Sequence, residues 1–246
     1  MTSLNDTFAS RLQLLGLRIP EILLPNSSVD LRTWAVVACD QYTSDQPYWT
    51  AVEAAVGAKP STLRIVLPEI YLGQSDVPAR VQSIHARMSE YLKQGVVHSK
   101  GECAVYVRRT TARSGLREGL VIAIDLERYD YSRGSKSLVR ATEGTIVDRI
   151  PPRLLVRRKA PLEVPHIMVL VEDRERQLVE GFGKRRDQLE RLYDLELMQE
   201  GGRLEGYRVD KAEDLERLLA QLVALYEQAK QRQQTEQPLF WAMGDG

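Results

Sequence analysis

The chain has 246 residues and a mass of 27.9 kDa, room for one large domain or two small ones. Its 43% hydrophobic and 28% charged residues are the balance of a folded globular protein and exclude disorder over most of the length. Lys+Arg and Asp+Glu both number 34, so the net charge is zero, with no overall attraction to nucleic acid and no acidic tail.

In chain order, residues 7–15 read as a short amphipathic helix stopped by Gly16. Pro20 and Pro25 bracket an extended segment, Ile22-Leu23-Leu24. The Val-rich run 34–39 reads as a buried strand, 40–47 as a polar turn, and 48–56 as a helix ended by Gly57. A short strand is expected over 63–67. Residues 78–94 carry Val81, Ile84, Met88, Tyr91 and Leu92 at helical spacing, and Gly95 closes that helix. Residues 103–109 and 119–126 read as a β-hairpin, followed by a long loop over 127–152. Residues 167–172 read as a buried strand, 184–195 as a helix and 203–209 as a strand. The strongest helix spans 210–231, with a stripe of Leu215, Leu218, Leu219, Leu222, Val223 and Tyr226; Asp210 and Glu213 have the spacing of a capping box. The last strand, 238–243, is followed only by Gly244-Asp245-Gly246, an ending expected of a truncated chain.

The fold class expected is mixed α+β, with a partly antiparallel sheet and flanking helices. Residues 1–246 form one unit with no marked internal boundary. Two cysteines, Cys39 and Cys103, are too few for a disulfide scaffold, and no Cys/His cluster signals structural zinc. The N-terminus Met1-Thr2-Ser3-Leu4-Asn5-Asp6 is not a signal peptide, and a membrane span needs about 20 apolar residues, which no run supplies. A cytoplasmic protein without a membrane partner is expected.

Three segments carry groups capable of chemistry. The first is Ala38-Cys39-Asp40-Gln41-Tyr42-Thr43-Ser44, a loop after an apolar run; its polar groups either read a ligand or simply satisfy the next helix. Cys39 alone is a core residue, since nothing beside it would lower its pKa. The second lies within residues 108–159, which hold 13 Lys+Arg and 6 Asp+Glu, a balance of +7 against −7 elsewhere. That asymmetry fits an anionic partner or a solvated basic face. Within it, Arg140-Ala141-Thr142-Glu143-Gly144-Thr145 and Asp148-Arg149 combine guanidinium groups suited to phosphate, a carboxylate able to act as a base, and a glycine that lets a ligand approach the backbone. The plain alternative is an ion pair between Glu143 and an arginine. The third is Gly181-Phe182-Gly183-Lys184, which lacks the spacing of a phosphate loop and reads as a turn. His85 and His98 have no partner at ligand spacing. His166 opens an apolar strand and is better placed, although a lone histidine is commonly structural; a Cys39/His166 dyad is the weakest option.

Residues 20–25 and 34–44, the stretch 137–145 with 148–153, and residues 162–170 together resemble a bacterial and archaeal family known as domain of unknown function 1015. The resemblance runs from about residue 17 to the end. It implies a further C-terminal region, and so again a truncation. Other branches of the family carry His-Glu where this chain has Thr142-Glu143, so the glutamate matches and the histidine does not. More distantly, the Asp245-Gly246 turn resembles the start of the nucleotide-binding motif of the ParB/sulfiredoxin superfamily, which includes free-serine kinases. That likeness implies an incomplete ParB/sulfiredoxin-like domain with an N-terminal elaboration.

The function expected is a nucleotide-dependent phosphotransferase acting on a small hydroxylated metabolite. Glu143 and Asp245 are the catalytic candidates, Glu143 as base or metal-binding carboxylate. Arg140, Thr145, Arg149, Gly244 and Gly246 would hold phosphate or nucleotide. Asp40, Gln41, Tyr42 and His166 would read the substrate. ATP or ADP with Mg²⁺ would be the cofactors, as phosphoryl transfer requires. The rival readings are a nucleotide or nucleic-acid sensor without turnover, and a fragment whose site is incomplete. Nucleic acid is the less favoured partner, because no basic helix carries interleaved aromatics.

Overall fold

A computed structural model describes residues 3–37, 42, 44–144 and 146–245. It contains, in chain order, α1 (Ser3–Leu14), β1 (Leu17–Arg18), β2 (Glu21–Pro25), α2 (Leu31–Trp34), α3 (Gln46–Val56), α4 (Val77–Lys93), β3 (Val97–Glu102), β4 (Ala104–Thr111), β5 (Gly115–Val121), β6 (Ala123–Ile124), β7 (Tyr129–Asp130), β8 (Val139–Ala141), α5 (Ile150–Arg157), β9 (Met168–Leu170), α6 (Glu180–Gly183), β10 (Arg191–Leu197), β11 (Gly202–Val209), α7 (Ala212–Gln233) and β12 (Trp241–Asp245). The fold is mixed α+β. One four-stranded sheet, β10-β11-β4-β5, is antiparallel throughout. The second, β7-β8-β12-β9, is mixed: β7, β8 and β12 run parallel and β9 runs against β12. Two antiparallel ribbons, β1–β6 and β2–β3, join the remaining strands. No helix among the described residues is long and apolar enough to cross a membrane.

The main core lies between the sheets. Tyr106 and Tyr207 from the antiparallel sheet, Leu218, Leu219 and Leu222 from α7, Leu12 from α1, and Val139, Phe240 and Trp241 beside the mixed sheet form one buried cluster. Burying each of those leucines contributes about 1.5–3 kcal/mol. The stripe expected on the last long helix is therefore real, and Leu225 and Ala229 extend it. A second core packs Val81, Ile84, Met88 and Tyr91 of α4 against Val97 and Val156. Leu92 lies outside it, 37% exposed.

Several expectations need correction. The apolar run at 34–37 is not a strand. Asp30 caps the short helix α2, and the backbone beyond it finds side-chain hydroxyls instead of a ladder. Ser61 Oγ and Thr62 Oγ1 both donate to Trp34 O, Thr62 Oγ1 accepts from Val36 N, and Tyr48 Oη donates to Val37 O. Buried backbone groups need partners, and here sheet pairing is not what supplies them. The strand expected over 63–67 is a 3₁₀ turn, Thr62–Arg64, with Ser61 as its cap. The helix expected over 184–195 is a 3₁₀ turn, Arg186–Gln188, followed by β10. Tyr193, Leu195 and Leu197 alternate with Asp194 and Glu196, a period of two that short apolar spacing disguised. The loop expected over 127–152 contains β7, β8 and the start of α5, whose Pro151 and Pro152 fit the first helical turn. Residues 168 and 170 of β9 are exposed rather than buried. Asp210 does not cap α7: the cap is Lys211, and the Asp210 carboxylate accepts from Arg208 Nε at 2.5 Å.

α7 is fixed at its start by another carboxylate. Asp214, 5% exposed, accepts from Arg185 Nη1 at 2.8 Å, and the Arg185 guanidinium stands over the Phe182 ring. Asp214 also lies in the first helical turn, where negative charge complements the helix dipole. Asp214→Ala strands the arginine, and chemical denaturation should show a loss of about 3 kcal/mol in unfolding free energy.

Candidate functional site

The mixed sheet determines where the candidate side chains meet. β8 and β12 are parallel, with Val139, Arg140 and Ala141 opposite Trp241, Ala242 and Met243. Both strands therefore end at the same edge. Thr142 extends the pairing there: its amide donates to Met243 O at 3.2 Å and its hydroxyl to the same oxygen at 2.6 Å. Glu143 and Gly144 leave the sheet at this point, beside Gly244 and Asp245 on the neighbouring strand. β9 runs the other way and pairs Met168 with Asp245, so its entry residue His166 comes to the same edge. β7 ends there too, with Asp130 opposite Arg140. The carboxyl ends of parallel strands are where α/β sheets place ligands. Of the residues predicted for the site, Glu143, Gly244, Asp245 and His166 are thus brought to one edge.

The geometry at this edge is specific. Glu143 is exposed and pairs with no described residue. Gly244 is set by close approach: a Cβ there would stand 3.2 Å from Leu170 Cγ, so the absent side chain lets Leu170 lie across the strand. Asp130 accepts from the Ser132 amide at 2.9 Å, and the Ser132 hydroxyl and amide hold its carboxyl below the usual carboxylate range. His166 lies at the surface, on the segment that enters β9. Desolvation, and then the Arg157 guanidinium, lower its pKa from the ordinary imidazole value. Arg157 also donates from Nη2 to Pro165 O at 3.2 Å and pairs with Glu163, fixing the entry to β9.

Other predicted residues lie elsewhere or have other partners. Arg140 donates from Nε to Ser137 O at 2.7 Å and from Nη2 to Gln237 O at 3.0 Å, tying the loops before β8 and β12 together. Arg149 lies against Glu69, Nη1 3.3 Å from Oε2. No contact among the described residues joins Arg140, Glu143 and Arg149, so the constellation suggested by their spacing is divided between three surroundings. Tyr42 stacks on Tyr48 with ring centroids 3.7 Å apart, and its carbonyl accepts from Trp49 Nε1 at 2.9 Å. Asp40, Gln41, Thr145 and Gly246, like Cys39, lie outside the described residues. His85 contacts Val156 O at 2.7 Å and is a docking group for α5. The turn at Gly183 makes room for the hydrogen bond from Tyr106 Oη to Glu118.

The sequence reading missed two acidic residues. Asp130 sits in an Asp-x-Ser pattern that is a recognisable turn signal. Glu69 has no local signal, because its partners Arg149 and Arg153 come from some 80 residues away. Among the described residues no group of three or more His, Cys, Asp or Glu side chains could hold a metal ion.

Compared with known families, residues 23–246 match the one described as Protein of unknown function (DUF1015). The chain belongs to this family. No curated protein and no solved structure matches it. The DUF1015 match spans every strand of both four-stranded sheets, so the edge just described lies wholly within the family's extent.

The His166 environment is directly measurable. Because its folded pKa is depressed, the unfolded chain takes up the proton first as pH falls below the ordinary imidazole value, and stability declines through that window. In an NMR titration the His166 ring should protonate below the ordinary midpoint, and Arg157→Gln should move that midpoint up. An unshifted midpoint in the wild-type chain would show that neither desolvation nor Arg157 acts on the ring.

Proposed function

We propose that the shared edge of β8, β12 and β9 is the ligand site of a nucleotide-dependent phosphotransferase acting on a small hydroxylated metabolite. The observation that carries this reading is the parallel register of β8 and β12, which puts the Glu143 loop beside Gly244 and Asp245. Glu143 is the base toward the substrate hydroxyl. It is exposed and pairs with no described residue, as suits a base awaiting substrate. Gly244, against which Leu170 packs, stands beside Asp245 on the neighbouring strand. His166, kept neutral by its surroundings, is able to accept a hydrogen bond from the substrate. Tyr42, with Asp40 and Gln41, remains part of the proposed substrate loop, and Thr145 and Gly246 of the phosphate-binding set. The likeness of Asp245-Gly246 to the ParB/sulfiredoxin turn belongs to this reading as well, as does a cytoplasmic setting.

Mg²⁺ with ATP or ADP fits the donor chemistry of the edge: Glu143 and Asp245 are carboxylates on adjacent elements, and hard cations bind oxygen. When bound, the ion would neutralise phosphate charge. The protein's own contribution is to position the hydroxyl and accept its proton.

A second reading, a nucleotide sensor without turnover, is favoured by one observation. Arg140, the nearest arginine to the edge in sequence, spends its guanidinium on two backbone carbonyls. Phosphorus NMR with ATP or ADP, Mg²⁺ and a panel of small hydroxylated metabolites separates the two. A phosphomonoester that appears with one metabolite, and whose rate of formation falls by about 100-fold or more in Glu143→Gln, supports the transferase. Nucleotide binding without product supports the sensor, and full activity in Glu143→Gln removes the proposed base.

A further inference from the structure

Glu69, in the 3₁₀ turn Glu69–Tyr71, is a carboxylate with 4% of its side chain exposed, shared between two guanidinium groups. The two partners are unequal. Arg153 donates to Oε1 from both Nε, at 3.1 Å, and Nη2. Arg149 comes within 3.3 Å of Oε2 but is not aligned for a hydrogen bond, and Oε2 is buried without a hydrogen-bond partner. Two guanidinium groups thus approach one carboxylate, and Arg153 alone already engages it with two donors. Arg149 is the less firmly engaged of the two. Its side chain is 41% exposed, and its guanidinium hydrogen-bonds to no acceptor among the described residues. It stands immediately before α5, at the far end of the loop that carries Glu143 away from the sheet edge. Pro151 and Pro152 remove two backbone donors from the first turn of that helix, so an anion arriving there is held by the guanidinium itself.

We propose that Arg149 is an anion-binding residue held in reserve on Glu69 and released to an incoming phosphate group. A phosphate offers a guanidinium two aligned, charge-assisted hydrogen bonds, whereas Oε2 offers a misaligned contact. Glu69 keeps Arg153 when Arg149 leaves, so the exchange uncovers no buried charge. The choice of phosphate over other oxyanions rests on the phosphoryl reading above; the competition between Glu69 and an external anion does not.

Inorganic pyrophosphate titrated calorimetrically into the full chain tests this. Saturable binding is expected, at least tenfold weaker in Arg149→Ala. It is expected to be about tenfold tighter in Glu69→Gln, where the competing charge is gone and the amide oxygen still accepts from Arg153. Should Glu69→Gln fold poorly, the side-chain Nε–H resonances of the wild-type protein give a second readout: Arg149 should shift on adding pyrophosphate while Arg153 holds still. No binding by the wild type, equal binding by Arg149→Ala, affinity unchanged in a folded Glu69→Gln, or movement of both arginine signals together would each overturn the proposal. The pyrophosphate titration contains neither nucleotide nor metabolite and so reads the anion site alone, whereas loss of phosphoryl transfer in Glu143→Gln reads the base; the two failures are distinguishable.

Discussion

The mixed sheet depends on the placement of β12. That strand lies between β8 and β9, so neither contacts the other except through it. Its first residue, Trp241, is fixed on two sides. The indole Nε1 donates to Leu15 O at 2.8 Å, and the backbone amide donates to Leu138 O. The ring packs edge-on to Phe240, which in turn meets Tyr226 of α7. A buried indole with its N–H satisfied contributes both area and direction. Here the direction matters more. With Trp241 seated between α1 and α7, the register along β12 is set, and with it the edge where Thr142, Gly244, Asp245 and His166 converge. A slip of one residue would turn Met243 outward and bring Gly244 under the core.

The charged residues serve the same ordering. Residues 108–159 read as a basic region of +7, yet many of its cations answer specific internal acceptors. Arg108 donates to Glu205, which also accepts from Tyr207. Arg109 donates to Gly201 O, Arg128 to Leu14 O, Arg140 to two carbonyls and Arg153 to Glu69. These contacts join segments up to 114 residues apart. Guanidinium groups suit this work because they present several fixed donors and remain charged when desolvated. The basic run is therefore less a field for attracting anions than a set of ties between loops, which is why its charge is a poor guide to a partner.

Elements with a single strong period were legible in the sequence. The stripes of α4 and α7 and the antiparallel pairing of β4 with β5 follow from spacing and glycine stops. What was not legible has a common cause: long-range partners overrode local preference. The Val-rich run after Trp34 has strand propensity but finds hydroxyls from residues 61 and 62 and from Tyr48 instead of a neighbouring strand. β10 carries apolar spacing compatible with a helix, but β11 supplies a ladder. Of the site, the segment Thr142–Glu143 was legible as chemistry. Its association with Gly244 and Asp245 was legible only as a resemblance, since residues a hundred positions apart become neighbours through parallel pairing, which no local pattern encodes. Arg149 was singled out in the sequence for its guanidinium, but its attachment to Glu69 could not be seen without the fold.

The edge and the Glu69 cluster lie at the two ends of one short segment, residues 142–149. At one end Thr142 is held to β12 by two hydrogen bonds to a single carbonyl. At the other, Arg149 rests on a contact that satisfies neither partner's hydrogen-bonding needs. The loop is thus fixed where it leaves the sheet and loosely held where it enters α5. Ile146 and Val147 in its middle are exposed, 57% and 73%. An anion that draws Arg149 off Glu69 therefore acts on the weaker anchor of the segment carrying Glu143, leaving the stronger anchor and the sheet register undisturbed. On the proposal above, charge arriving at Arg149 reaches the segment that carries Glu143 without disturbing the core. The unequal grip of Arg149 and Arg153 on one carboxylate is what makes that division of labour possible.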